Sequence, residues 1–253
     1  MNSPAPRRRL LCDTAERRIA LTWYPPGHAM AAHAHGRDQR SVLLAGALEE
    51  RAGSRTISPR AGAAGFKAAG VDHANLYGRD GALILAVDGP APRRVRGQGD
   101  WLWRGGAGLD AIRRVLGAAL GGDVPTLDAA NDLEALVEPV EITAASGDAP
   151  PWLACVQEAV DDDPAAARVD TLADAAGVHR VHLSRRFADV FGTPFSLYRR
   201  RAMTAKAVRS LLHDRDGAGA AAAEAGFADQ AHFTRALKAE TGVTPARLAA
   251  ALA

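Results

Sequence analysis

The feature that most constrains this chain is a plan that occurs twice in its C-terminal part. LADAAGVHRVHLSRRF, from Leu172, and AAAEAGFADQAHFTRAL, from Ala221, each place a short apolar stretch before a glycine and a longer periodic stretch after it. Aligning Gly177 with Gly226 sets Leu183 beside Phe233, Arg185 beside Arg235 and Gly192 beside Gly242, with a one-residue gap in the turn. The repeat length is about 50 residues. Glycine is the residue that accepts a positive φ and closes a helix. Short helix, glycine turn and longer basic helix define a helix-turn-helix. In the first unit the helices are expected over Leu172–Ala176, with Asp170 or Thr171 as cap, and from about His179 to Val190 with Leu183, Phe187 and Val190 inward. In the second they are expected over Ala218–Ala225 and Asp229–Glu240, with Pro245 opening a last helix. SLYRRRAMTAKAVRSLLHD is the bridging helix between the units.

Net charge is only +2, so its distribution is what informs. Between His179 and Arg209 stand Arg180, Arg185, Arg186, Arg199, Arg200, Arg201, Lys206 and Arg209 against Asp189 alone. Such a patch in a nearly neutral chain points to a polyanion. A helix in the major groove offers positions i, i+1, i+4 and i+5. Those are Arg180, Val181, Ser184 and Arg185 in the first unit, and Gln230, Ala231, Thr234 and Arg235 in the second. Arginine suits guanine, glutamine adenine, and valine the thymine methyl. Arg186, Arg199, Arg200 and Lys206 are assigned to phosphate or solvent.

AGFADQAHFTRALKAETGVTP resembles the signature of the AraC/XylS family of bacterial transcription regulators, and LADAAGVHRVHLSRRFADVFGTPFSLYRRRAMTAKAVRSLL is similar to that family's first unit and bridging helix. The resemblance runs from about Trp152 to the C-terminus. It implies that the eight positions above read bases, that double-stranded DNA is the partner, and that RNA polymerase is a possible second one. The chain departs from the family in AGAAAAEA, which has alanines at positions usually larger, and in Leu237, which stands where phenylalanine is usual.

The N-terminal part has another rhythm. RIALTWY, SVLLAGAL, NLYG and ALILAVD read as short strands separated at Pro25-Pro26-Gly27, Arg79-Asp80-Gly81 and Asp88-Gly89-Pro90, as in a small antiparallel barrel or jelly roll. Within it, GHAMAAHAHGRDQR sets His33 and His35 one residue apart. On a strand they share a face, and with Gln39 and His73 they make a candidate site for one divalent transition metal, zinc, nickel or iron. Histidines that only hydrogen-bond within the barrel, or that line a metal-free effector pocket, are the alternatives. Gly27, His33, His35, Gln39 and Gly46, followed by Gly62, Gly70 and His73, resemble the two cupin motifs in order, with Gln39 at the usual glutamate place, Ala68 at the usual proline and Tyr77 at the usual asparagine. The resemblance implies a cupin-like domain that senses a metal or small-molecule effector.

The expected fold class is α+β. A cupin-like β-barrel occupies residues 1–100, a helical connector 101–141, a linker 142–150 and the all-α DNA-binding domain 151–253. In the connector, Leu109, Ile112, Leu116 and Leu120 form one stripe, and Leu127, Leu133, Ala135 and Leu136 a second. They serve either a homodimer interface, as the resemblance implies, or packing on the barrel. Cys12 and Cys155 are too far apart in sequence to suggest a disulfide. No run of ~18 apolar residues exists to span a bilayer, and no apolar segment follows the N-terminal arginines, so cytoplasmic residence without a membrane partner is expected. The doubled motif favours a DNA-binding regulator over an enzyme; the alternative is a metal-dependent cupin enzyme with an appended helical domain.

Overall fold

The computed structural model describes residues 4–89, 101–104, 109–121 and 149–253. Eight strands come first: β1 (Arg7–Asp13), β2 (Arg18–Tyr24), β3 (Ala29–His33), β4 (Gln39–Ala52), β5 (Arg55–Ile57), β6 (Ala64–Lys67), β7 (His73–Asp88) and β8 (Trp101–Arg104). They form one antiparallel sheet in the order β1-β2-β7-β4-β6-β8, with β3 added to β7 and β5 to β4. β8 pairs with β6, Trp101 against Lys67 and Trp103 against Gly65, so the sheet extends past the boundary expected at residue 100.

The apolar run ALILAVD reflects burial on both faces. Leu83, Leu85 and Val87 pack toward the C-terminal helices together with Ile19, Leu21 and Trp23 of β2. Ala82 and Ile84 point the other way, to Leu43, Leu48 and Tyr77 inside the curled sheet. This is the two-residue period of a strand with both sides covered. The turn expected at Arg79-Asp80-Gly81 does not form. NLYG and ALILAVD are parts of one strand, β7, which bends where Gly81 (φ +68°) and Gly46 of β4 (φ +84°) meet. The β4–β7 register slips between Leu43 and Ala45 and between Gly46 and Leu48, and these bulges take up the bend without ending the pairing.

The helices are α1 (Leu109–Gly121), α2 (Pro151–Asp162), α3 (Val169–Ala175), α4 (Arg180–Phe191), α5 (Phe195–Arg209), α6 (Ala218–Glu224), α7 (Gln230–Thr241) and α8 (Pro245–Ala251), with a π-helical turn at Ser210–Asp214 after α5. Each expected glycine stop has positive φ: Gly177 +66°, Gly192 +63°, Gly226 +83° and Gly242 +79°. The first helix begins earlier than expected. Arg168 is its N-cap, without a side-chain hydrogen bond, and Asp170 lies in the first turn, where its charge suits the helix dipole. Around α4, Leu183 and Phe187 pack with Leu153, Val156, Phe195 and Tyr198. In the second unit Ala221, Ala222 and Ala225 are buried against Phe227, Phe233 and Leu237, so small residues fill the place of larger ones.

The α1 stripe is covered. Ile112 and Leu116 are fully buried, as is Val115, and they face α7 and α8. The Arg113 guanidinium donates to the Ala239 carbonyl, 2.7 Å from Nε. The partner of this stripe is the second helix-turn-helix unit, which neither of the two expected uses anticipated. The second stripe, Leu127–Leu136, lies outside the described residues.

The barrel and the helical domain meet along a charged seam. Arg60 pairs with Asp161 at 2.9 Å, Arg79 with Asp162 at 2.5 Å and Arg209 with Asp80 at 3.6 Å. Arg201 pairs with the buried Glu240 of α7 at 3.0 Å while its guanidinium lies against Gly62 of the barrel.

Gly46 is the tightest point of the sheet. A Cβ there would stand 1.9 Å from the Gly81 carbonyl oxygen, whereas one at Gly53 of the β4–β5 hairpin, φ +58°, would meet nothing. Gly46→Ala is expected to cost more than ~3 kcal/mol, and Gly53→Ala only the ~1–2 kcal/mol of left-handed strain. Urea unfolding of the two variants checks this, and equal losses would remove the bulge from the account.

Candidate nucleic-acid interface and barrel cavity

The two reading helices begin on side-chain caps. His179 Nδ1 accepts from the Val181 amide at 3.3 Å, and Asp229 Oδ1 from the His232 amide at 2.6 Å. On α4, Arg180, Val181 and Arg185 are exposed and Ser184 half-buried. On α7, Gln230, Ala231 and Arg235 are exposed and Thr234 half-buried. All eight sit opposite the buried stripes, Leu183 and Phe187 on one helix and Phe233 and Leu237 on the other. Val181 is 45 % exposed. Arg180 pairs loosely with Asp170 at 3.6 Å.

The basic patch is smaller than the sequence indicates. Arg199, expected at phosphate or solvent, donates to the carbonyls of Pro164 and Ala165 at 2.7 and 2.9 Å and so holds the turn between α2 and α3. Arg201 and Arg209 are held in the seam, Arg209 also by Asp214 and Glu224. Arg200 stays exposed.

In the barrel, His33 and His73 are direct cross-strand partners on β3 and β7, with rings 4.4 Å apart. His35 is not on the strand. β3 ends at His33 after a bulge, and His35 reaches the group from the following loop, its ring 5.2 Å from His33 and 5.1 Å from His73. One nitrogen from each ring falls within 4.8 Å of the others. His33 Nδ1 lies 2.9 Å from the Ala31 carbonyl and His73 Nδ1 3.1 Å from that of Val71. Those carbonyls fix the Nδ1–H tautomer and leave Nε2 as the free lone pair, the outer-shell arrangement that orients metal-binding histidines. Burial, then the Lys67 charge, pushes His35 down to about 4, and the same two causes lower His73. Both are neutral at pH 7, the form that donates to a metal. The donor set therefore fits a divalent transition ion.

Gln39 has other partners. Its amide nitrogen donates to Asp88 Oδ1 at 2.9 Å and lies 3.5 Å from His35 Nδ1, while Ser41 donates to its oxygen at 3.4 Å. The amide thus sits beside His35 and turns its nitrogen, not its oxygen, to the ring.

A cavity of about 50 Å³ adjoins the histidines, lined by Met30, Leu48, Ile84 and Trp103 among others. Sequence reasoning missed its main polar feature. Glu50 and Lys67 are both buried and pair at 3.0 Å. Glu50 also accepts from the Trp101 indole and, with the Asn75 amide nitrogen turned toward it, from Asn75 at 3.1 Å. Burial pulls Lys67 below the ordinary lysine range, and Glu50 opposes that pull. Glu50 lies in the later half of β4 and Lys67 and Trp101 on β6 and β8, so the network closes the curl of the sheet. Tyr24 stacks on Tyr77 at 4.1 Å, and burial raises both phenols.

Residues 172–251 match the family model described as a helix-turn-helix domain, of the AraC type. No curated protein matches the chain. Among solved structures, the C-terminal domain of AraT, a response regulator from Geobacillus stearothermophilus, is 21% identical, covering 41% of this chain and 88% of that one at a TM-score of 0.39. A cupin superfamily protein from Desulfitobacterium hafniense is 14% identical, covering 36% and 82% at 0.33. KdgF from a Halomonas species is 21% identical, covering 36% and 84% at 0.31. The chain is an α+β protein whose residues 172–251 form a helix-turn-helix domain of the AraC type. Among the described residues no helix is long and apolar enough to cross a membrane.

Lys67→Met leaves Glu50 as a buried charge without its counter-ion and is expected to cost ~3–5 kcal/mol. Lys67→Met/Glu50→Gln removes both charges and should recover most of that. Chemical denaturation of the two variants checks it; equal losses would mean that packing, not charge, holds this wall.

Proposed function

We propose that the protein is a sequence-specific transcription regulator of the cytoplasm, that α4 and α7 read DNA, and that the barrel senses a metal or small-molecule effector. The carrying observation is the pair of capped helices whose outer faces expose Arg180, Val181 and Arg185 on one and Gln230, Ala231 and Arg235 on the other. Arg185 and Arg235 bind guanine edges, Gln230 pairs with adenine and Val181 meets a thymine methyl. Ser184 and Thr234 act as short hydrogen-bonding partners at the groove wall, and Ala231 permits close approach. Arg200 and Lys206 add phosphate contacts. Two units on one bridging helix engage successive major grooves, ~10 bp apart.

His33, His35 and His73 would hold the metal, which would supply Lewis acidity there. Gln39 stands beside His35 on the cavity wall. The sensing domain occupies residues 1–100, with β8 added to its sheet from the segment that follows, and the DNA-binding domain begins at 151. Two copies pair on DNA as a homodimer.

Arg185→Ala and Arg235→Ala are each expected to reduce discrimination against a mismatched guanine position by about ten- to hundredfold, the ~1–3 kcal/mol of a bidentate contact. Their affinity for random duplex should fall far less. Binding-site selection followed by titration measures both; unchanged selectivity in the double variant would defeat the assignment.

Zinc is expected to raise the Tm of the parent by mass action, and His33→Ala/His73→Ala to abolish that rise. Calorimetry with and without chelator reads it, and a rise that survives in the variant would place the metal elsewhere.

A further inference from the structure

The cavity beside the histidines has more donors than the described residues accept. An ammonium offers three N–H groups, and Lys67 gives one to Glu50. The Trp103 side chain also lines this space, and its indole N–H is buried without a hydrogen-bond partner among the described residues. Lys67 Nζ lies 5.4 Å from the Trp103 ring, so the two donors share one wall. Glu50 cannot take all of the surplus, since three donors leave its carboxylate about one acceptor site. Its oxygens already receive Lys67, Trp101 and Asn75. Buried donors without acceptors are costly, so such a wall calls for an acceptor beyond the described residues, and a ligand in the cavity supplies one. A charged acceptor gains most, since the lysine end makes the bond charge-assisted. Facing it are Met30, Leu48, Ile84 and Ala86, which suit a short apolar tail.

Size narrows the class further. A cavity of about 50 Å³ holds ~3–5 waters, hence about that many non-hydrogen atoms. A ligand seated wholly within it is a short-chain molecule.

We propose that the cavity binds a small aliphatic carboxylate, whose oxygens accept from Lys67 Nζ and Trp103 Nε1 and whose tail lies on Met30, Leu48 and Ile84. This rests on the reading of the barrel as the sensing part and names the chemical class of its effector. Formate, acetate and glycolate fit the space. Acetamide has the shape of acetate without the charge.

The test uses the full chain after chelator treatment, so that no metal recruits the anion. Formate, acetate, glycolate and acetamide are titrated at constant ionic strength against chloride, with Tm and tryptophan fluorescence as readouts. At least one of the carboxylates should raise Tm in a saturable way at millimolar concentration, and acetamide should not. Trp103→Phe keeps the ring and removes the donor; it should weaken that carboxylate about fivefold, the worth of one hydrogen bond. Lys67→Met/Glu50→Gln should abolish binding. The proposal is overturned if none of the three carboxylates binds, if acetamide binds as well as acetate, or if Trp103→Phe binds like the parent. The same samples are titrated with a selected DNA site. Carboxylate binding that leaves DNA affinity unchanged keeps the ligand assignment and overturns the sensing role.

Discussion

The pairing of β4 with β7 is what the rest of the molecule depends on. These are the longest strands of the sheet, and they stay paired from Gln39 opposite Asp88 to Arg51 opposite Ala74. Because both bend at Gly46 and Gly81, a single ladder serves two packing environments. Its outer face meets the C-terminal helices and its inner face lines the cavity. Each face has its own apolar set, and a slip of one residue would exchange them. The glycines are therefore fixed by geometry: the bend brings the Gly81 carbonyl to where a side chain on Gly46 would stand.

The second constraint is charge. A buried ion pair contributes little net stability, but losing one partner is expensive. Arg201 and Glu240 are in that position, since Arg201 belongs to the bridging helix and Glu240 to the end of α7. The pair fixes the second reading helix to the bridge, while Gly62 brings the barrel backbone against the same guanidinium. Arg209 plays a similar part at the other end of the bridge, touching Asp80 of β7 and Glu224 of α6. Arginine forks suit such crowded corners better than lysine does. The basic residues of the bridging helix are thus divided: some hold the molecule together, and others remain for a polyanion.

The C-terminal plan was legible because its signals are local. A glycine at each stop and a stripe every three or four residues lie within short windows, and the structure places Gly177, Gly192, Gly226 and Gly242 where the pattern asked. The strands were legible for the same reason. What escaped was set by distant partners. Glu50 and Lys67 carry no local signal, because only the curl of the sheet sets them against each other. Arg79-Asp80-Gly81 carries turn chemistry, yet the second ladder through β4 carries the strand across it. Arg199 looked like a phosphate ligand because nothing in its own helix reveals the carbonyls of Pro164 and Ala165. In the histidine group the sequence identified members correctly as neighbours, His33, His35 and His73, but the strand argument for His35 was wrong: a bulge and a loop, not strand alternation, bring it in. Trp103 gave no signal at all, since an indole N–H without an acceptor is visible only in three dimensions.

A sensing barrel must change DNA affinity through a difference in free energy between two arrangements, because a ligand that binds both equally shifts nothing. Strand β7 is where such a difference would be expressed. His73, Asn75 and Tyr77 line or border the cavity, and the same strand then reaches Arg79 and Asp80, which pair with Asp162 and Arg209 of the helical domain. Few residues separate the two sets, so no long chain of contacts is needed. The coupling would be reciprocal: if cavity ligand tightens DNA binding, DNA must tighten the cavity by the same factor. The Asp80 carboxyl is a sensitive point in that path. Burial raises its affinity for a proton while Arg209 and Arg79 lower it, so the two arginines favour its charged form. Withdrawal of Arg209 would take the nearer counter-charge from a largely buried carboxylate beside the bend of β7, a cost that would oppose opening of the seam there.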